Sequence, residues 1–489
     1  MAFTKTPTQD TYDTKRFPIV GMPQQRNGLD FDKDQRFLNC FVEAIKAQVT
    51  EAKKYYLKKR SGLKLMNSPA AGIARGMVYE DTTQQLFFVV GTTLYAYNGV
   101  STTSISTGIT GSDPVGFTVH LTSTVSVILL NGTTGWVINP VGNTITQITD
   151  ADFPTPHLPF PISMDGYLFV AKANTADIYN SDLDNPLLWT PSNFITAEMY
   201  PDNIVALTKN NNYVIAVGTG SMEYFYDIGN ATGSPLQRND SAVQQFGTNA
   251  PYSVIQTEKE VALVGTSQNG GRTVWVIEGF KAEEIGTEAV RMSLNDLEDD
   301  IATVNAYCIR IEGHKFYILR LPTQNRTWCY DMDLKLWSEW SSLSGSDQVE
   351  FKGKYAADSQ FGFPYMLGDE SPNAKLYLLE DRTYQDDSNA IMMQVTTLKL
   401  DFDNMNRKDM YRASVFGDWP LDGSSTLTLE WSDDDYRTWS NARTINLTSD
   451  YPWTRRLGKF RRRAFRLTHT DNTPLRLEGM EVDINNGTS

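Results

Sequence analysis

Short aromatic pieces with the character of β-strands recur along most of this chain, and their spacing constrains the fold strongly. They lie at residues 94–97, 136–138, 178–179, 223–226, 274–277, 328–330 and 376–378. The spacing is roughly 41 to 55 residues, close to the one-blade period of a β-propeller. Each piece has an apolar partner about ten residues upstream, which is the pattern of a repeated hairpin. We therefore predict an all-β fold built on a β-propeller of about six to eight blades.

The 489 residues exceed what one such ring needs, so we expect additional modules. We expect an extended N-terminal arm with the first strands or a helix over residues 1–59 and the propeller over 60–388. Longer alternating strands over 389–489 predict a C-terminal antiparallel β-sandwich. In residues 40–57 helix-forming composition coexists with alternation, so helix and strand both stay open. Residues 287–301 could form a short helix that bridges two blades.

Composition bounds the class of protein. No apolar run approaches the roughly 20 residues of a membrane span, and the start of the chain lacks the apolar core of a secretion signal, so we expect a soluble protein assembled in a cytoplasm. Cys40, Cys308 and Cys329 are widely spaced and fit reduced core residues. The net charge of −14 argues against tight DNA binding over the whole surface, although it suits a channel through which DNA slides. It could equally serve solubility.

The compact motifs of catalysis and metal binding are missing from the sequence. It contains no His-Glu-x-x-His, P-loop, Gly-x-Ser-x-Gly or Cys-x-x-Cys pattern. The four histidines are far apart, so we expect each to be a surface or turn residue: His120, His157, His314 and His469. The glycine-rich residues 265–271 fit a hairpin turn better than a phosphate site. We therefore expect no catalytic residue, no metal site and no cofactor.

Residues 432–439, Ser-Asp-Asp-Asp-Tyr-Arg-Thr-Trp, resemble an Asp-box, a turn of the form Ser-x-Asp-x-Gly-x-Thr-Trp. In that motif the aspartate, here Asp434, ties the hairpin backbone, and the tryptophan, here Trp439, packs beneath it. Tyr436 replaces the glycine. Asp-boxes occur in sialidases and other glycan-active propellers but are structural there, so this copy favours a stable hairpin over an enzyme.

Residues 455–466 form a strong charge asymmetry in an otherwise acidic chain, with seven basic residues and no acidic one. The basic residues are Arg455, Arg456, Lys459, Arg461, Arg462, Arg463 and Arg466. Because arginine forms bidentate pairs with carboxylates, the stretch is a candidate interface with another subunit or a partner. A solvated face and contact with DNA are the alternatives.

Four regions, in order along the chain, resemble the tail hub proteins of short-tailed phages (podoviruses), also called nozzle or packaged-DNA-stabilisation proteins. The family-motif positions, which we expect to be structural, are Arg36, Asn39, Glu43, Arg75, Gly76, Glu223, Tyr224, Trp431, Asp434 and Trp439. Residues 59–63 and 457–466 belong to the same likeness. Ser61 departs from it, because the family usually has Arg-Pro-Gly at that point.

The resemblance implies a non-enzymatic virion tail protein that forms a ring, typically of six copies, below the portal and its adaptor. Such a ring extends the DNA channel, closes it after packaging until DNA ejection, and docks tail needle, tailspike or fibre proteins. Double-stranded DNA would pass through it transiently, and the chain would not insert into a membrane. The alternative is a glycan-binding or glycan-cleaving, sialidase-like propeller, which would need a carboxylate pair or a tyrosine beside an arginine cluster on one face.

Overall fold

The computed structural model describes residues 12–20, 35–46, 53–69, 71–230, 232–266, 270–359, 362–370, 373–420 and 424–487. The chain forms two compact units. The propeller unit comprises Lys64–Trp337 and Glu350–Leu379. The terminal unit comprises Met1–Leu63, Ser338–Val349 and Glu380–Ser489, so it contains both ends of the chain.

Strands dominate the described residues. The first five are β1 (Asp13–Pro18), β2 (Arg36–Leu38), β3 (Cys40–Lys46), β4 (Lys53–Lys59) and β5 (Gly62–Asn67). Three meanders of four strands follow: β6 (Ala74–Glu80), β7 (Gln85–Val90), β8 (Thr93–Tyr97), β9 (Thr102–Ser106); β10 (Gly116–Leu121), β11 (Val125–Leu130), β12 (Gly135–Asn139), β13 (Thr144–Gln147); β14 (Ile162–Met164), β15 (Tyr167–Ala171), β16 (Asp177–Asp182), β17 (Asn185–Thr196).

Three more meanders of the same kind come next in the chain. They are β18 (Ile204–Asn210), β19 (Tyr213–Gly218), β20 (Met222–Asp227), β21 (Leu236–Gln244); β22 (Ile255–Gln256), β23 (Glu260–Thr266), β24 (Arg272–Glu278), β25 (Lys281–Glu284); β26 (Asn305–Ile311), β27 (His314–Leu321), β28 (Arg326–Asp331), β29 (Leu336–Ser344). A short strand, β30 (Asp347–Glu350), pairs with β29. The last sheet holds β31 (Gly353–Ala357), β32 (Tyr365–Glu370) and β33 (Asn373–Glu380), with β5 hydrogen-bonded to β33 as a fourth strand.

Hydrophobic packing between neighbouring sheets closes these sheets into a ring. Phe87 and Val89 of the first meander pack with Leu129 of the second, and similar clusters join each later pair up to the sixth meander. The sixth meander contacts the last sheet, where the Tyr307 hydroxyl donates to the Gly353 carbonyl at 2.8 Å. Leu86 of the first meander also packs with Leu376 of the last sheet. Alternate side chains of one central strand therefore enter different cores, as expected for a strand buried on both faces. The prediction of an all-β propeller with about six to eight blades is confirmed.

A short helical segment fills the space between the fifth and sixth meanders. Helix α1 (Glu288–Asn295) and the 3-10 helix Glu298–Thr303 bury Val290, Leu294 and Ile301 in the cluster that contains Trp328. Two further 3-10 turns are Pro251–Ser253 and Pro322–Gln324. The helix expected within residues 287–301 is present, and its apolar side chains serve both neighbouring sheets.

Arg75 and Gly76 bind the first meander to the chain that leads into the second. The buried Arg75 guanidinium donates only to backbone carbonyls: Nε to Asp113 at 2.7 Å, Nη1 to Gly91 at 2.9 Å and Ile109 at 2.8 Å, and Nη2 to Thr110 at 3.0 Å. This one side chain satisfies four carbonyl groups of the β7–β8 turn and the β9–β10 connection. Burial is the first cause that lowers the pKa of Arg75.

Gly76 generates the first prediction, because a Cβ atom there would lie 2.6 Å from the Val115 carbonyl oxygen. Gly76→Ala should force the two backbones apart and destabilise the propeller by about 1–3 kcal/mol, the usual cost of overpacking. The matched control is Gly108→Ala, whose Cβ would meet its nearest atom at an ordinary 3.7 Å. The stability of both variants is measured by urea unfolding, with tryptophan fluorescence as the signal. Equal unfolding midpoints for Gly76→Ala and Gly108→Ala would contradict the steric account.

The remaining strands belong to the terminal unit. They are β34 (Gln385–Asp386), β35 (Asn389–Ala390), β36 (Met393–Thr396), β37 (Lys408–Asp418), β38 (Thr426–Ser432), β39 (Arg443–Asn446), β40 (Trp453–Arg455), β41 (Lys459–Phe460), β42 (Ala464–His469) and β43 (Arg476–Asn486). One sheet has the order β3–β4–β43–β37–β40, with β1 also paired to β43 and β41 to β37. A second run has the order β2–β36–β42–β38–β39.

The structure divides the chain differently from the expected segments 1–59, 60–388 and 389–489. Strands from the beginning and the end of the chain alternate in the same sheets, since β1 and β4 both pair with β43 and β2 pairs with β36. Such pairings join residues more than 350 positions apart, and no local sequence pattern reports them. Residues 40–46 and 53–59 are strands, while 47–52 lie outside the described residues.

Two other expectations concern the ends of this unit. Residues 1–11 and 21–34 of the predicted arm lie outside the described part of the chain, and the described piece between them contains β1, a sheet strand. The C-terminal sandwich stays a prediction.

Candidate interface of the terminal unit

Arg60 lies at the centre of a buried polar network. Its Nη1 and Nη2 donate to the two carboxylate oxygens of Asp386 at 2.9 and 2.6 Å, and its Nε donates to Asn39 Oδ1 at 2.8 Å. Nη2 also donates to the Ser341 carbonyl at 2.9 Å. The Asn39 amide nitrogen donates to Ser341 Oγ at 3.0 Å and to the Met392 carbonyl at 2.9 Å. The Arg60 and Asp386 side chains are at most 1% exposed, so this charge pair is fully desolvated.

The other N-terminal motif residues make long-range pairs of the same kind. Arg36 forms a bidentate pair with Glu339, with both bonds at 2.8 Å. Glu43 on β3 pairs with Arg476 on β43 at 3.0 Å. The motif positions Arg36, Asn39 and Glu43 therefore lie at contacts between distant segments of the terminal unit. Sequence reasoning missed the partners Glu339 and Asp386, since nothing near them in the chain marks them.

The Arg60 network yields the second prediction. Arg60→Ala leaves the Asp386 carboxylate buried without its guanidinium, so we expect a loss of about 3–5 kcal/mol in the unfolding free energy of the terminal unit. The matched control is Arg310→Ala, which breaks an ion pair of 2.7 Å with Glu258 whose side chains are 56% and 59% exposed. Exposed pairs contribute about 0–1 kcal/mol. Denaturant unfolding measures the loss of unfolding free energy in each variant. Similar losses for Arg60→Ala and Arg310→Ala would contradict the conclusion that burial makes the Arg60 pair important for stability.

The Asp-box turn is held by Asp434. Its Oδ1 accepts hydrogen bonds from the Thr438 backbone N–H and from Ser432 Oγ, both at 2.9 Å, and its Oδ2 accepts one from Thr438 Oγ1 at 2.6 Å. Tyr436, at the position where the motif has glycine, adopts a left-handed φ of 64°. Its hydroxyl donates to the Thr397 carbonyl at 3.0 Å, which gives the strained residue a compensating contact. These contacts give the turn a structural role.

The third prediction concerns acid. Hydrogen bonds, first that from the Thr438 side chain, lower the pKa of Asp434 to about 2. An unfolded aspartate titrates near about 3.9, so the stability from this group is present above that pH and is lost as pH falls towards about 2. Asp434→Asn should therefore be less stable than the parent at pH 5, and the gap should narrow between about pH 4 and pH 2. Urea unfolding midpoints of both proteins, measured across that pH range, test this prediction. A stability difference that does not change with pH would contradict it.

The basic stretch separates into internal and exposed members. Arg463 is 1% exposed, and its Nε and Nη2 donate to the two Asp433 oxygens at 2.7 Å each. Arg466 pairs with Glu430 on the adjacent strand at 2.8 and 2.9 Å and lies 4.2 Å above the Trp439 ring. These two arginines hold strands of the terminal unit together. They are therefore poor candidates for contact with another subunit or a partner protein.

The other five members are exposed, and we call them the basic edge: Arg455, Arg456, Lys459, Arg461 and Arg462. Arg455 ends β40, the last strand in its sheet order, and lies 5.6 Å from the centre of the Trp453 ring. Trp453 is 41% exposed and Tyr451, two residues before it, is 43% exposed. Tryptophan, tyrosine and arginine are the residue types enriched at binding hot spots, so this edge has the composition of an interface.

Glu223 and Tyr224 lie inside the propeller. The Glu223 carboxylate accepts a hydrogen bond from the Met199 backbone N–H at 2.9 Å, and burial is the first cause that raises its pKa. Tyr224 is fully buried between the fourth and fifth meanders, and burial raises its pKa to about 12. Trp431 lies on β38, where the Arg463 guanidinium is 5.1 Å from its ring centre.

The expectation that the histidines are surface or turn residues is wrong for three of them. His120, His157 and His469 are at most 2% exposed. Burial lowers the pKa of His157 to about 4 and that of His469 to about 3. His120 lies on β10 and His469 ends β42, while His157 lies in the connection between β13 and β14. One ring nitrogen of His120 and of His157 is hydrogen-bonded, and both ring nitrogens of His469 have partners, a combination that local sequence does not reveal. His314 is partly buried and pairs with Asp331 at 2.8 Å.

Among the described residues, no group of three or more His, Cys, Asp or Glu side chains could hold a metal ion. The three cysteines are free thiols; burial raises the pKa of Cys308 to about 12 and raises that of Cys40 well above its usual value. Within the same residues, no helix is long and apolar enough to cross a bilayer.

The fold and these contacts define a structural β-propeller protein whose buried charges serve its own strands. A family model described as "Bacteriophage P22 Gp10, beta-propeller" matches residues 16–384. The chain belongs to this phage family, and it is a structural protein of a phage tail. The tail hub protein gp10 of Salmonella phage P22 is 24% identical to it over 129 residues, which are 26% of this chain and 27% of that relative. The matched part therefore spans about a quarter of the relative's length.

Solved structures with similar folds are distant. The N-terminal domain of Nup159 has a TM-score of 0.38 at 10% identity, covering 70% of this chain and 98% of that one. The Cps50 (Swd1) β-propeller domain of Myceliophteria thermophila has a TM-score of 0.41 at 9% identity, covering 65% of this chain and all of that one.

Proposed function

We propose that this chain is a tail hub, or nozzle, of a short-tailed phage. Copies of it, six by the resemblance, form a ring below the portal and adaptor that extends the DNA channel and retains packaged DNA until ejection. The same ring docks needle and tailspike or fibre proteins and has no enzymatic activity. The observation that carries the proposal is the family match over residues 16–384, which takes in the strands of the propeller from β5 to β33.

The charge distribution supports assembly by side-to-side contacts. A ring built from identical copies needs two different surfaces that fit each other. The basic edge supplies five exposed cations on a chain whose net charge is −14, so one copy can present this edge to the acidic surface of the next. The net negative charge also suits transient passage of DNA, because a surface rich in cations would hold the phosphates.

Attachment to phage heads tests the proposal. Purified protein is mixed with DNA-filled heads of the phage that carry portal and adaptor but no tail, and the particles are imaged and treated with nuclease. We expect a six-fold ring at the portal vertex and less nuclease-sensitive DNA. Heads that stay bare and keep leaking DNA in the presence of folded protein would overturn the hub proposal, and glycan binding and hydrolysis would then be measured.

Charge reversal at the basic edge is the fourth prediction. Arg461→Glu with Arg462→Glu should weaken ring formation at least tenfold, as expected for like charges placed across an interface, while leaving the unfolding midpoint nearly unchanged. Arg463 is left intact because it is buried and pairs with Asp433. The control is Lys281→Glu with Arg310→Glu, the same charge change at exposed positions of the propeller unit.

Sedimentation velocity reports assembly, and urea unfolding reports stability. The basic edge is excluded as an assembly surface if its variant assembles as well as the control does.

A further inference from the structure

Two consecutive meanders of the propeller are almost free of charge. Asp113 is the single Asp, Glu, Lys or Arg residue at positions 82–149, in a chain of which 21% is charged. These positions contain β7 to β13, and the exposed residues among them are mostly Thr, Ser, Asn and Gly. A solvated protein surface carries charges of both signs, whereas the core of an interface is depleted of them. This part of the propeller therefore has the composition of a contact surface.

A groove of about 500 Å³ opens between the second and third meanders. Its apolar lining comes from Val125, Val137 and Val141 of the second meander and from Leu187 of the third. The other lining side chains within the described part of the chain, such as Thr146 on β13, are neutral, so none of them is charged. The volume lies within the range of ligand pockets. The groove can therefore receive the tip of a turn rather than one side chain.

The lining requires an uncharged occupant. A charged group that leaves water for a groove without a counter-charge loses its hydration and gains no partner. The groove therefore disfavours DNA phosphates and the cations of the basic edge. Val141 is 78% exposed, so an occupant that covers it also removes apolar surface from water.

The turn between the third and fourth strands bears an exposed apolar residue in each of the first five meanders: Val100, Val141, Leu183, Ile228 and Phe280. The last three have charged neighbours in the chain, which are Asp182, Asp184, Asp227 and Lys281. Val141 belongs to the groove itself. Val100 lies between Gly99 and Ser101, so its turn is the one that meets the charge requirement of the groove.

The Val100 turn is exposed and held in one shape. Val100 is 90% exposed, so it does not fill the groove of its own chain. Asn98 Oδ1 accepts hydrogen bonds from the backbone N–H of Val100 at 3.0 Å and of Ser101 at 2.8 Å. The Tyr97 hydroxyl donates to the Gly99 carbonyl at 2.8 Å. A turn that is already ordered loses little conformational entropy when it binds.

We propose that the Val100 turn of one copy of this chain inserts into the groove of a second copy. The turn and the groove are different surfaces, so the contact is heterologous and can repeat around a ring. Copies with a net charge of −14 repel one another, and an uncharged contact joins them without burying like charges. The inference rests on the proposed hub, because it names a contact between the subunits of the ring.

The test uses single variants of the full chain. Val100→Asp changes the turn, and Thr146→Asp changes the groove. The matched controls are Ile228→Asp in the equivalent turn of the fourth meander and Thr92→Asp in the exposed turn between β7 and β8. We expect the parent to self-associate with a Kd of about 10 μM in sedimentation velocity. Val100→Asp and Thr146→Asp should each raise this Kd at least tenfold without lowering the urea midpoint, and the controls should not raise it.

Mixing the two variants identifies the surfaces that meet. The Val100→Asp copy keeps an intact groove, and the Thr146→Asp copy keeps an intact Val100 turn. An equimolar mixture should therefore form a heterodimer through one intact contact. Larger species should be absent, because the second contact would place two aspartates together.

Three results would overturn the inference. In the first, Val100→Asp and Thr146→Asp associate as the controls do, which means that something other than a second copy covers the groove. In the second, the mixture stays monomeric. In the third, the parent stays monomeric at about 200 μM, well above the expected Kd. Head attachment separates this inference from the hub proposal, since a Val100→Asp chain that still forms the ring on heads contradicts the inference alone.

Discussion

The buried pair of Arg60 and Asp386 is the contact on which the architecture of the terminal unit depends. Its charges are removed from water, and Asn39, Ser341 and Ser342, which belong to other segments of the chain, hydrogen-bond to the pair. Arg60 also donates to the carbonyl of the next residue, Ser61. Removing one partner of a desolvated ion pair leaves a buried charge uncompensated, so the network favours the observed arrangement of these segments. The pairs Arg36 with Glu339 and Glu43 with Arg476 join further distant segments of the same unit. Both ends of the chain are thereby fixed in one unit.

The sequence indicates the propeller well because each meander is local. A hairpin such as β7–β8 is specified by residues within about ten positions of each other, and its repetition implies a ring. The terminal unit could not be predicted in the same way: Arg60 and Asp386 are 326 residues apart. The burial of His120, His157 and His469 could not be predicted for a related reason. A histidine counts as polar in a sequence pattern, and the residues that bury its ring come from other parts of the chain. For the basic stretch, the burial of Arg463 against Asp433 and the strand register that places Arg466 opposite Glu430 show that these two arginines are internal.

Arginine serves two purposes in this chain. Arg60, Arg75 and Arg463 are buried, and their planar guanidinium groups each satisfy several acceptors that would otherwise lose their hydrogen bonds. The basic edge keeps its cations in solvent, where they contribute little to stability and are available to a partner. This separation supports the proposed hub, because a structural tail protein must fold as a stable unit before it assembles and must then bind several neighbours.

Native-state hydrogen exchange measured by mass spectrometry tests most directly whether the two ends of the chain form one cooperative unit. The account predicts that the amides of β3, β4 and β43 open together, with the same opening free energy and the same dependence on denaturant as those of β36 and β42. If β3 and β4 exchange much faster than β43 and open independently of it, the buried network does not hold the ends together and the central claim is contradicted.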